Sequence, residues 1–201
     1  NIDRLLLNAQ FPLNSLSKIE ALQKQMSGHI ALKTRKVIVK EGYSIEALEG
    51  EGNLKNGVLT HNFFGTALGS EFRFNGNLPI SGLDKESISR IEWKNLDTNK
   101  IPLKIDNAWI PNQGKVSGKL SIIGPFEKSQ LKGSFEFQAD DLIIEPANET
   151  PSIEISKLTG HGDFDKGQLQ HEFHGNVLRS EFNIKGKVRM STDNPTLNSQ
   201  I

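Results

Sequence analysis

An internal repeat constrains the fold more than any other feature. The segment 48–78, LEGEGNLKNGVLTHNFFGTALGSEFRFNGNL, returns as 158–188, LTGHGDFDKGQLQHEFHGNVLRSEFNIKGKV, at an offset of 158 − 48 = 110 residues and without a gap. The two copies are identical at 13 of 31 aligned positions. Because self-similarity at a fixed spacing fixes the architecture, this repeat predicts a continuous body built of two similar halves.

Within each copy, apolar and polar residues alternate, which is typical of strands with one apolar and one wet face. Asn56-Gly57 and Lys166-Gly167 predict tight hairpin turns, and Gly65 to Gly69 predicts a break. We therefore predict a mainly β protein: two tandem β-repeats forming a curved, twisted antiparallel sheet with an apolar inner face.

One short helix is expected near the N-terminus, at about 15–26. Leu16, Ile19, Leu22 and Met26 recur at helical spacing, and Gly28 follows as a stop. The domain boundaries follow from the repeat. We place the first β-repeat with its helix at 1–80, a connector at 81–112, the second β-repeat at 113–190 and a polar tail at 191–201, all in one continuous body.

The composition excludes several classes of function. The 24 basic and 24 acidic residues balance, so no basic field attracts nucleic acid, and nucleic acid is not an expected partner. Cysteine is absent, which rules out disulfides and thiolate chemistry. The chain has no apolar run long enough to cross a membrane as a helix, and it begins with Asn. We expect any membrane anchor to lie in segments outside this chain.

Two repeated positions could carry chemistry. His61 and His171 could bind a metal, but their apolar neighbours at i−2 and i+2 favour packing on a strand face. Glu71 and Glu181 could act as acid and base, yet the alternation places them on the wet face. No phosphate loop or nucleophile motif occurs. We therefore predict no catalytic residue, no metal and no cofactor, and a protein that is not an enzyme.

The apolar strand positions remain as candidates for a binding site. They form either an ordinary closed core or the wall of a groove that holds lipid chains, because one-sided alternation with a single helix to cover it leaves apolar surface in need of a partner. The candidate groove residues are Leu59, Phe63, Phe72, Phe74, Leu169, Phe173, Phe182 and Ile184.

The pattern VSGKLSIIG…LKGSFEFQADDLIIEP…IEISKLTGHGDFDKGQLQHEFHGNVLRSEFNIKGKV resembles the AsmA-like family of Gram-negative bacteria. The match is closest over 116–190 and next over 28–80. The resemblance implies a long twisted sheet with an apolar groove, located in the periplasm and tethered to the inner membrane. It also implies a non-catalytic role in binding or conducting phospholipid or another acyl-chain lipid toward the outer membrane.

The alternative function is a structural or assembly domain of the cell envelope. Such a domain would close its own core and contact only envelope proteins. The two hypotheses differ in whether the alternating apolar residues are sealed inside the protein.

Overall fold

The computed structural model describes residues 2–10, 26–40, 43–80, 86–101, 111–125, 131–144, 152–189 and 196–200. These residues form thirteen strands and one 3-10 turn, Thr98–Lys100. The strands are β1 (Ile2–Gln10), β2 (Ser27–Thr34), β3 (Val37–Lys40), β4 (Tyr43–Lys55), β5 (Val58–Ala67), β6 (Ser70–Pro79), β7 (Ser87–Asp97), β8 (Pro111–Gly124), β9 (Lys132–Ile144), β10 (Ile153–Asp165), β11 (Gln168–Val177), β12 (Ser180–Arg189) and β13 (Thr196–Gln200).

All the strands belong to one open antiparallel sheet. Its order is β1-β2-β4-β5-β6-β7-β8-β9-β10-β11-β12-β13, so successive strands lie side by side as in a meander. Strand β3 pairs with the first residues of β4, beyond the stretch that β2 occupies. The prediction of a mainly β protein with an antiparallel sheet is confirmed.

Tight turns set the register. Asn56 and Gly57 have φ of 53° and 73°, and Lys166 and Gly167 have φ of 48° and 75°. These values are the left-handed pairs that a two-residue hairpin needs. Strand β5 continues through Gly65 to Ala67, and the chain reverses only at 68–69. The break predicted over Gly65–Gly69 is thus confined to its last two residues.

Strand bounds recur along the chain. Adding 110 to the bounds of β4, β5 and β6 gives the bounds of β10, β11 and β12. Each copy also carries an irregularity of the ladder. Glu46 is an extra residue between the pairs that Ile45 and Ala47 form with β5, and Ser156 is its counterpart in β10. Such bulges bend a strand and raise its twist.

The N-terminal segment and the segment between the repeats differ in how far the structure describes them. The helix at 15–26 lies outside the described residues, apart from Met26, which directly precedes β2. The segment 81–112, interpreted as a connector, contributes β7, which pairs along its length with β6 and β8. Contacts between elements join neighbouring strands, or the 3-10 turn and β8, so the described part of the chain forms a single layer.

Candidate functional site

The register assigns each strand residue to one of two faces. Residues that are directly opposite on paired strands lie on the same face, and residues alternate between faces along a strand. One row crosses eleven strands without a charged residue: Leu5, Leu32, Gly50, Phe63, Phe74, Ile91, Leu120, Phe135, Gly162, His171 and Gly186. The surface that contains this row is called the apolar face below.

Outside the short strand β3, the apolar face lacks Asp, Glu, Lys and Arg at the strand positions that the structure describes in register. The neighbouring row through Phe72 continues through Trp93, Gly118 and Phe137 to Gly160. The face therefore runs unbroken from the first half of the sheet to the second.

All eight predicted groove residues lie on this face. Leu59, Phe63, Phe72 and Phe74 form one group on β5 and β6, and Leu169, Phe173, Phe182 and Ile184 form the other on β11 and β12. Strands β7 to β10 separate the two groups. The sequence prediction thus identified two separate parts of the apolar face but not the residues on β7 to β10 that connect them.

The missed middle consists of aromatic residues on β7 and β9. Trp93, Phe135 and Phe137 occupy the apolar face between the two groups. The ring centroids of Phe135 and Phe137 are 6.3 Å apart, and those of Phe137 and Phe173 are 5.8 Å apart. Their alternation in the sequence could have identified them, but they lie outside the repeated segment on which the prediction depended.

Glycines provide space for these rings on the neighbouring strands. A Cβ added at Gly160 would lie 2.4 Å from Cε1 of Phe137 and 2.5 Å from Cδ1 of Phe173. At Gly175, an added Cβ would lie 2.6 Å from the ring of Phe182. The aromatic rings therefore cover backbone that has no side chain. The rings can therefore lie flat against the sheet, because a side chain at the glycine would push the ring away from the backbone.

Burial on the apolar face is incomplete. Among the described residues, Ala139, Leu142 and Ile155 are the buried hydrophobic ones, and all eight predicted groove residues remain partly exposed. The small cluster around Ala139 includes Phe182 at its margin. Because no second layer covers this face in the described part of the chain, its aromatic rings are not sealed in an interior.

His61 is the buried polar residue among these rings. Its ring centroid lies 4.5 Å from that of Phe74 and 6.1 Å from that of Phe63, and its Nε2 has no hydrogen-bond partner among the described residues. Desolvation lowers the pKa of His61, and a hydrogen bond with the backbone of Leu59 partly opposes this shift. The neutral form of the imidazole is therefore favoured. Its counterpart His171 stacks on Phe173 at 4.9 Å.

The opposite surface, called the polar face, carries the charges. Lys33 bonds Glu49 at 2.8 Å, and Glu172 accepts from Lys185 at 2.8 Å. Glu71 and Glu181 are exposed there, and neither forms an ion pair with another described residue. The described residues contain no group of three His, Asp or Glu that could hold a metal ion.

Comparison with protein-family models, with curated proteins and with solved structures finds no match to this chain. In the part that the structure describes, no helix has the length and apolarity needed to cross a bilayer. Inference about function therefore depends on the two faces of the sheet.

Proposed function

We propose that this chain is a non-catalytic lipid-binding module whose apolar face holds acyl chains. The observation that carries the proposal is the uncharged, partly exposed face that continues across both halves of a single-layer sheet. Exposed apolar surfaces of this extent mark interaction sites in soluble proteins. An acyl chain suits such a surface because it can pack against apolar side chains and has no polar groups that need hydrogen-bond partners.

The dimensions and energetics suit this ligand. Twelve strands in one path, spaced about 4.8 Å apart, give a face about 50 Å long. Burying one methylene contributes about 0.8 kcal/mol. A 16-carbon chain lying flat, with half its surface covered, would therefore gain about 6 kcal/mol before the cost of losing its free motion. Several chains could lie side by side, because no charged side chain interrupts the face.

The finer features of the protein follow as part of this proposal. The chain consists of two tandem β-repeats, as the recurring strand bounds support. The sheet is curved and twisted, with the apolar face inside, and the N-terminal segment contributes a short helix. The resemblance to AsmA-like proteins supports the periplasm of a Gram-negative bacterium as the location that we propose for the module. There it binds or conducts phospholipid between the inner and outer membranes, tethered through segments outside this chain.

The test is uptake of lipid by the purified chain, measured by native mass spectrometry and by titration with a fluorescent fatty acid. We expect co-purified or added lipid to bind the wild-type protein. Phe72→Glu and Phe182→Glu place a carboxylate on the apolar face and should reduce uptake at least about tenfold, because the charge would have to lose its hydration. Asn75→Glu, on the same strand as Phe72 but on the polar face, is the matched control and should bind normally.

Two results would contradict the proposal. One is a wild-type chain that carries no lipid and takes up none. The other is equal lipid uptake by Phe72→Glu and by Asn75→Glu, with both variants folded by circular dichroism. The first result, together with unfolding of the Phe72→Glu variant, would instead favour the alternative of a structural or assembly domain with protein partners.

A further inference from the structure

The polar face contains a hollow whose lining is mostly separate from the proposed lipid site, although it includes Phe72, one of the predicted groove residues. It has a volume of about 700 Å³ and lies where the bulge at Glu46 bends β4. Strands β2, β4, β5, β6 and β7 all contribute to its lining. The lining residues that could contact a ligand through an aromatic ring or a polar group include Phe64, Thr66, Glu71, Arg73, Glu92 and Lys94.

The same hollow recurs in the second half. A cavity of about 510 Å³ is lined by Lys157, Thr159, His174, Gly175, Asn176, Glu181, Phe182 and Asn183, and each of these residues stands 110 positions after a residue of the first hollow. It also lies beside the corresponding bulge, at Ser156. The backbone therefore forms the cavity twice, and the two copies differ in chemistry.

The first hollow is distinguished by an exposed aromatic ring. Phe64 is 49% exposed and is one of the few large apolar side chains on the polar face. Glu49 and Arg73 lie directly opposite it on the two neighbouring strands. In the second half, the imidazole of His174 takes the place of this ring and bonds Glu172 at 2.8 Å. Of the two hollows, only the first thus has a phenylalanine ring on the polar face with polar groups around it.

The charged groups that line this hollow are of both signs, four cations and three anions. Lys33 and Glu49 pair with each other at 2.8 Å. The side chains of Arg73, Lys94, Glu71 and Glu92 form no ion pair or hydrogen bond with other described residues, and the Thr66 hydroxyl lies beside them in the lining. With cations and carboxylates side by side, a highly charged ligand of either sign is disfavoured. The mixture of donors and acceptors suits a neutral ligand that is rich in hydroxyl groups.

The shape of the hollow favours an extended ligand. Most of its lining residues lie on the polar face of one sheet, so a bound molecule is contacted mainly from one side. The five strands span about 19 Å, from four gaps of about 4.8 Å. A peptide that adds as a strand would need an open sheet edge, whereas the backbone of β5 and β6 is already paired on both sides. Binding of an acyl chain in this hollow would remove water from the surrounding charged side chains, which is unfavourable.

We infer that the first hollow binds a neutral glycan chain. The C–H side of one sugar ring would stack on Phe64. The hydroxyl groups of the glycan would donate to Glu71 or Glu92 and accept from Arg73 or Lys94. The two ligand classes would then occupy opposite faces of one sheet, with lipid on one and carbohydrate on the other.

The test is titration of the full chain with the neutral oligosaccharides cellohexaose and chitohexaose, followed by NMR chemical shifts. We expect saturable shifts that include the amide of Phe64. Phe64→Ala and Arg73→Ala should weaken binding at least about tenfold. His174→Ala, at the equivalent position of the second hollow, should leave the affinity unchanged. Circular dichroism confirms that each variant is folded.

The inference fails if neither hexasaccharide gives saturable shifts at millimolar concentration, or if His174→Ala weakens binding as much as Phe64→Ala does. It also fails if a charged peptide or a phospholipid vesicle binds at Phe64 in preference to both oligosaccharides. Fatty-acid uptake by Phe64→Ala separates this site from the lipid proposal, because that variant should take up lipid normally whether or not the glycan site exists.

Discussion

Replacing Gly160 by alanine tests how the aromatic rings cover the apolar face. The new methyl group would lie 2.4 Å from Phe137 and 2.5 Å from Phe173, so at least one ring must move. Such overpacking typically costs about 1–3 kcal/mol. Removing a glycine from a strand returns about 0.5–1 kcal/mol. We therefore expect a net loss of between about 0 and 2.5 kcal/mol in the free energy of unfolding, centred near about 1 kcal/mol.

Thermal and urea unfolding followed by circular dichroism measure this change. For a chain of this size, a loss of about 1 kcal/mol lowers Tm by about 2–4 °C. Gly52→Ala is the matched control on the same face of the first half, where the added Cβ would meet only the flexible end of Leu59, at 3.1 Å, as its nearest neighbour. That variant should be neutral or slightly more stable. If Gly160→Ala is instead more stable than the wild type by about 0.5–1 kcal/mol, as expected where nothing covers the glycine, the rings do not lie over it and the reasoning is refuted.

Two further predictions concern titration. Because the pKa of His61 is lowered from 6.5 by burial, the protein should lose stability as pH falls from above 6.5 through the lowered pKa. His61→Leu should reduce this loss in urea unfolding at pH 7 and pH 5, and equal losses in both proteins would contradict it. The hydrogen bond from Lys185 holds the pKa of Glu172 below its ordinary value, with a smaller contribution from His174. Lys185→Ala should raise that pKa in an NMR titration; no change would exclude the assigned cause.

Much of the fold could be predicted from the sequence, because side chains on a strand alternate between two faces and the order of apolar and polar residues shows this period of two. The turns at Asn56-Gly57 and Lys166-Gly167 were predicted correctly, since left-handed backbone restricts the residue types. The placement of Glu71 and Glu181 on the wet face is likewise as predicted. The length of β5 was underestimated, because Gly65 was interpreted as an interruption rather than as a pairing position.

The candidate sites were less accessible, because they depend on register. Residues as distant as Trp93 and Gly118 become neighbours only when β7 is aligned with β8. The glycine–ring contacts depend on the same alignment. The hollow around Phe64 also depends on the bulge at Glu46, which the local sequence does not indicate. Sequence alternation could therefore assign a residue to a face, but it could not identify that residue's neighbours across the sheet.

The single-layer meander has a consequence for how this protein can change. Each hairpin depends on the strands beside it and on little else, so the free energy of the whole approximates a sum of local and nearest-neighbour contributions. Adding or removing a pair of strands would leave distant pairs undisturbed. Duplication of a block of hairpins would therefore change the stability of the remaining strands little. The same independence would let one stretch open while the remainder holds its shape.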